Sequence, residues 1–119
     1  MTVRVGSIVL GASDVPRAVS FWCRALDYRP REEPDDTWAV LTPVADGGPN
    51  VSIAQSDTPV QDRPRVHIDL YADDQPATVE GLLGLGASRV DWQDYPDGAD
   101  FVVLADPEGN RFCVIDRGQ

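Results

Sequence analysis

The sequence contains no lysine; its ten basic residues are all arginine. Schiff-base chemistry and phosphate cradling by a P-loop both need a lysine amine, so both are excluded. Histidine occurs once, as His67, and cysteine twice, as Cys23 and Cys113. One cysteine falls in a helical pattern and one in a strand pattern, which is too little for a disulfide framework, and both read as free thiols. No apolar run approaches the roughly 20 residues of a membrane span. The opening MTVRVGSIVLGASD has neither the length nor the cleavage site of a signal peptide, so a cytoplasmic protein with no membrane partner is expected. Basic charge is scarce as well: twenty acidic residues leave a net charge of −10. No nucleic-acid partner is expected, because phosphate binding would need basic surface concentrated against the chain's own field. An acidic surface reads first as a solvated face, and its one functional implication is attraction for a cationic ligand.

What the chain does have is an internal repeat. Val5-Gly6-Ser7-Ile8-Val9-Leu10-Gly11-Ala12-Ser13-Asp14 set above Arg65-Val66-His67-Ile68-Asp69-Leu70-Tyr71-Ala72-Asp73-Asp74 matches Ile8, Leu10, Ala12 and Asp14 with residues 60 positions on. Pro16 and Pro76 keep that offset, and so do Asn50 and Asn110, each after a glycine-containing turn. Each half opens with a strand, about Val3 to Leu10 and Arg65 to Tyr71. An acidic N-cap with a proline just inside the helix follows.

Val15, Ala18, Val19, Trp22, Ala25 and Leu26 form one apolar stripe at three- and four-residue spacing. Val79, Leu82, Leu83 and Leu85 repeat it before Gly84 and Gly86, which are expected to end the second helix. Three strand-like runs follow each helix: Tyr28 to Glu33, Thr37 to Pro43 and Val51 to Gln55, then Ser88 to Trp92, Asp100 to Ala105 and Arg111 to Asp116. The two-proline stretch Ser56 to Pro64 reads as a linker. The expectation is one domain of 119 residues in the α+β class, with module one at 1–55 and module two at 65–119. These are two tandem βαβββ modules whose sheets face each other around a shared cleft, where function is to be sought.

The βαβββ repeat, the helix entry ASDVPRAVSFWCRALDY, the second opening VHIDLYADD and the closing DPEGNRFCV resemble the glyoxalase, bleomycin-resistance and extradiol dioxygenase superfamily, the vicinal oxygen chelate proteins. The resemblance covers nearly the whole chain. It is specific for fold and much less so for function, since members include metal-dependent lyases, isomerases and dioxygenases as well as metal-free drug-binding proteins. It also implies homodimers, with modules paired within a chain or across chains.

Enzymes of that family hold a divalent metal with His or Gln and then Glu from the first and last strands of each module. Those positions fall here on Ser7, on Ile53 (or Gln55 if the strand slips by two), on His67 and on Cys113. Only His67 matches plainly. Strand alternation places Ser7 with Val5 and Val9, and His67 with Asp69, on the face away from the helix. Phe112 and Val114 should pack on the helix, which turns Cys113 toward the cleft.

A catalytic zinc needs about three protein ligands. A serine hydroxyl and an isoleucine are poor substitutes, although Gln55 or Asp69 offers a third donor beside His67 and Cys113. No metal and no cofactor are therefore expected. Cys113 with His67 as base is a chemically sensible nucleophile, set against the ordinary role of a buried cysteine as a small hydrophobe. Trp38 and Phe101, each opening a strand, read equally as core or as a flat wall for a planar ligand. Trp92 and Tyr95 read as cleft rim.

Two functions remain open. The first is a metal-free cleft lined by Ser7, Trp38, Gln55, His67, Asp69, Phe101 and Cys113 that binds a small cationic or aromatic molecule. The second is a lyase, isomerase or dioxygenase, with a divalent metal on an altered ligand set or His67 as general base.

Overall fold

Both helices begin where an acidic side chain takes up a free backbone donor. The Asp14 carboxylate accepts from the Arg17 N–H at 3.1 Å, and Asp74 accepts from the Ala77 N–H at 3.1 Å. Each bond satisfies one of the orphan donors of a first helical turn, where Pro16 and Pro76 lose nothing by lacking an N–H. The structure, a computed structural model, describes residues 1–45 and 47–117. In it the helices run as α1 (Val15–Leu26) and α2 (Gln75–Leu85). Asp27 ends α1 in the left-handed conformation, its N–H bonded to the Cys23 carbonyl. Gly86 ends α2 at φ 122°, a backbone angle that residues with a Cβ avoid. Gly84 stays inside the helix, contrary to the expectation that it helps to stop it.

The chain divides into two compact units, Met1–Pro59 and Val60–Gln119, and each repeats one topology. The first contains β1 (Ser7–Ala12), β2 (Tyr28–Pro30), β3 (Trp38–Pro43) and β4 (Asn50–Gln55), in the sheet order β1-β4-β3-β2. The second contains β5 (Asp69–Ala72), β6 (Ser88–Arg89), β7 (Phe101–Ala105) and β8 (Arg111–Asp116), in the order β5-β8-β7-β6. First and last strands pair in parallel, and the other neighbours are antiparallel. The fold is therefore α+β, two tandem βαβββ modules.

Strand ends depart from the sequence expectation wherever a partner strand is missing. β1 starts at Ser7 instead of Val3, because β4 offers partners only from Asn50 onward; Val3 and Val5 are exposed. β5 likewise begins at Asp69, which leaves His67 just ahead of the ladder. β2 stops at Pro30 and β6 at Arg89. β3 opens at Trp38, since Thr37 is held in a turn by the Asp35 carboxylate, which accepts from the Thr37 N–H and hydroxyl and the Trp38 N–H. These bonds favour the ionised form and hold that carboxyl below the usual range.

One face of each sheet is buried with the helix of its own unit. In the first, Ala12, Ala39, Leu41, Val51 and Ile53 are buried together with Val15, Ala18, Phe21 and Trp22. The two α1 rings meet edge to face at 5.0 Å. In the second, Leu104, Phe112 and Val114 are buried and β8 lies against α2, whose Val79 and Leu82 are buried too. Phe112 and Val114 thus take the helix side, as alternation predicts.

Candidate functional site

The open face of the second sheet is set by β8. With Phe112 and Val114 turned to the helix, Arg111, Cys113 and Ile115 point the other way. Register brings Val103 and Asp69 alongside Cys113 and Phe101 alongside Ile115. Arg63, His67 and Trp92 complete the wall of a pocket of about 480 Å³ on this face.

Its polar residues converge. The His67 Nε2 lies 2.9 Å from an Asp69 carboxylate oxygen. One ligand atom each from His67, Asp69 and Cys113 falls within 4.8 Å of the others. The Cys113 thiol is half-buried, and its pKa is pushed up to about 11, first by burial and then by the negative charge of Asp69. This is the reverse of an activated nucleophile, which needs a depressed pKa. Cys23 is raised as well, by burial alone.

The far wall is aromatic and basic. The Arg63 guanidinium lies 5.5 Å from the Trp92 ring centre and pairs with Asp94. The Tyr95 hydroxyl accepts from the Val103 N–H at 2.8 Å while its ring meets Phe101 at 5.2 Å, which pins the 91–100 segment to β7. Arg111 reaches the Asp62 carboxylate at 3.3 Å through Nη2.

Of the residues singled out in the sequence, His67, Asp69, Phe101 and Cys113 are brought together in this pocket. Ser7, Trp38 and Gln55 belong to the first unit. Ser7 shares a 2.6 Å hydrogen bond with the Ser52 hydroxyl, and Trp38 is exposed beside a cavity of about 120 Å³ with Arg31 and Asp35. Gln55 ends β4 with its N–H donating to the Thr37 carbonyl.

The first-module ligand position inferred at Ile53 is corrected. Ile53 has no exposure and lies on the helix face, and Gln55 follows it in alternation. Register explains why: Val9 pairs with Ser52 and Asp69 pairs with Cys113. The twin of Cys113 is therefore Ser52, 61 residues earlier, since the 60-residue offset gains one position before β8. A one-residue slip moves a side chain to the opposite face. In the first unit, Ser7 and Ser52 thus stand where the second has His67 and Cys113. Arg111, missed in the sequence, was signalled by its alternation with Cys113.

The duplicated βαβββ units with a polar cluster on the first and last strands define a glyoxalase-type protein. The chain belongs to the glyoxalase-like domain family, whose sequence model matches residues 7–115. Solved structures with the same fold include a gene product of Arabidopsis thaliana at 18% identity, covering 98% of this chain and 99% of that one, with a TM-score of 0.72. A glyoxalase-related enzyme from Fulvimarina pelagi is 16% identical over 96% of this chain and 88% of its own, with a TM-score of 0.69. The bleomycin-binding protein of Streptomyces verticillus, solved with copper(II)-bleomycin, is 19% identical over 98% of both chains, with a TM-score of 0.60. A search of curated proteins finds no match.

Proposed function

We propose that this chain is a small-molecule-binding member of the glyoxalase-like family, with its ligand site in the pocket of the second unit and no metal required. The observation that carries this reading is the composition of that pocket: Phe101, Trp92, Val103 and Ile115 supply apolar and flat surface, and a few polar groups converge within it. Small-molecule sites have this composition. One structural neighbour is by its name a bleomycin-binding protein, which supports small-molecule binding on this fold. A ligand screen by thermal shift, followed by 1H–15N NMR, tests the reading. Supporting ligands shift amides of β7 and β8 and lose affinity in Trp92→Ala. A screen in which every hit leaves those amides unmoved overturns it.

The convergence of His67, Asp69 and Cys113 favours a second reading, a metal-dependent lyase or isomerase. One nitrogen, one oxygen and one sulfur donor within 4.8 Å fit a zinc-type ion with a coordination position left open. Such an ion would supply Lewis-acid polarisation of a bound carbonyl. Elemental analysis of purified protein after incubation with Zn, Ni, Mn or Fe(II) decides between the two. Near-stoichiometric metal that disappears in His67→Ala establishes the metal reading, and background metal eliminates it. In either case the chain is proposed to act as a homodimer, which light scattering checks.

A further inference from the structure

Among the described residues, the Arg111 Nε is the one buried side-chain nitrogen or oxygen without a hydrogen-bond partner. It belongs to a charged group in the wall of the pocket, and its side chain is only 22% exposed. A buried donor left unmade is costly, more so on an ion. Among the described residues this guanidinium pairs with Asp62, which does not relieve the Nε. Asp62 meets Nη2 at 3.3 Å, long for a charge-assisted bond, and is 92% exposed and free to swing into water.

We infer that the pocket recognises an aromatic monocarboxylate, whose two oxygens replace Asp62 and bridge the Nε and Nη2 of Arg111 as the side chain turns to bring its covered Nε toward the pocket. This deepens the ligand-binding reading and rests on it. The Nε–Nη2 edge of a guanidinium presents two parallel N–H donors spaced to match a carboxylate, a geometry that a single-acceptor carbonyl meets only in part. One negative charge suits the site better than two. The second arginine, Arg63, is already neutralised by Asp94, and Asp69 is negative on the same face. A planar body suits the rest, with Trp92 and Phe101 as walls and Val103, Cys113 and Ile115 beneath. Arg111 and Cys113 stand two residues apart on one strand, about 7 Å, which is room for a single aromatic ring between the carboxylate and the His67–Asp69–Cys113 cluster. The chain's overall acidity suggests a cation, whereas the groups collected in this pocket select an anion.

The test is an NMR titration with benzoate, phenylacetate and indole-3-acetate beside benzamide, phenylacetamide and indole-3-acetamide, and with inorganic phosphate as competitor. The acids are expected to bind about tenfold or more tightly than their amides, shifting amides of β7 and β8, and phosphate is expected not to displace them. Arg111→Gln removes the preference for acid over amide while amide binding persists, which also shows that the variant is folded. Arg111→Lys restores only part of the preference, because it returns charge without the fork, and Asp62→Asn tightens acid binding. Amides binding as well as acids, an unchanged preference in Arg111→Gln, or displacement by phosphate would each overturn the inference while leaving the pocket a binding site. If no probe shifts β7 or β8, the inference is overturned, and the wider ligand screen alone decides whether the pocket binds another class of molecule.

Discussion

Cys113 and Ser52 hold the same place in their two repeats, yet their chemistry differs with their surroundings. Ser52 is buried with its hydroxyl satisfied by Ser7, while Cys113 faces a pocket beside a carboxylate. A thiol raised from 9.0 to about 11 is protonated at neutral pH. In chelator-treated protein, iodoacetamide should therefore label Cys113 on the order of a hundredfold more slowly than an ordinary thiol at pH 8. The rate should climb with pH until about 11, as followed by mass spectrometry. Asp69→Asn removes the second cause of the shift and should speed labelling, whereas rapid labelling of the parent at pH 7 would contradict the assignment. Asp106, also nearly without exposure, serves structure instead. Its carboxylate accepts from the Glu108 and Asn110 N–H groups at 3.0 and 2.9 Å and so shapes the turn that delivers Arg111 to β8. Asp106→Ala leaves those donors without that acceptor and should lower unfolding stability by about 1–3 kcal/mol, measured by urea denaturation.

At the scale of the element, what was legible in the sequence was what is decided locally. The acidic caps, the prolines and the apolar stripe of α1 all act within one or two helical turns, so the two helices and the repeated strand order could be read directly. Strand ends could not, because β1 and β5 begin where β4 and β8 begin to offer partners. The candidate site's placement was legible in the second half: that His67, Asp69, Phe101 and Cys113 share one pocket follows from alternation along the strands. In the first half the ligand position inferred at Ile53 was misplaced, since a repeat offset of 60 carried one position too far along β4 selects Ile53 where the ladder selects Ser52. Ile53→Ala should cost about 2–5 kcal/mol of stability, as a fully buried side chain does, without changing ligand affinity in the pocket. A loss of affinity equal to that of Trp92→Ala, in protein shown folded by its NMR spectrum, would count against the face assignment.

For the whole molecule, net charge is readable from composition, but the charge of a pocket is not. Arg63 and Arg111 stand 48 residues apart, and only the fold brings both to one wall beside Asp69. The two scales act with opposite sign on an anionic ligand. Long-range repulsion from a chain of charge −10 slows its approach, whereas contact with the largely buried Arg111 holds it once bound. Salt separates them, because the Debye length falls from about 30 Å at 0.01 M to about 8 Å at 0.15 M. Over that range the association rate of benzoate, from NMR line shapes, should rise, while its dissociation rate stays nearly constant, since buried contacts are poorly screened. Benzylamine, of opposite charge, should associate more slowly as salt rises. A benzoate affinity that falls steeply with salt would instead place the anion on exposed arginines such as Arg29 and Arg31, outside the pocket.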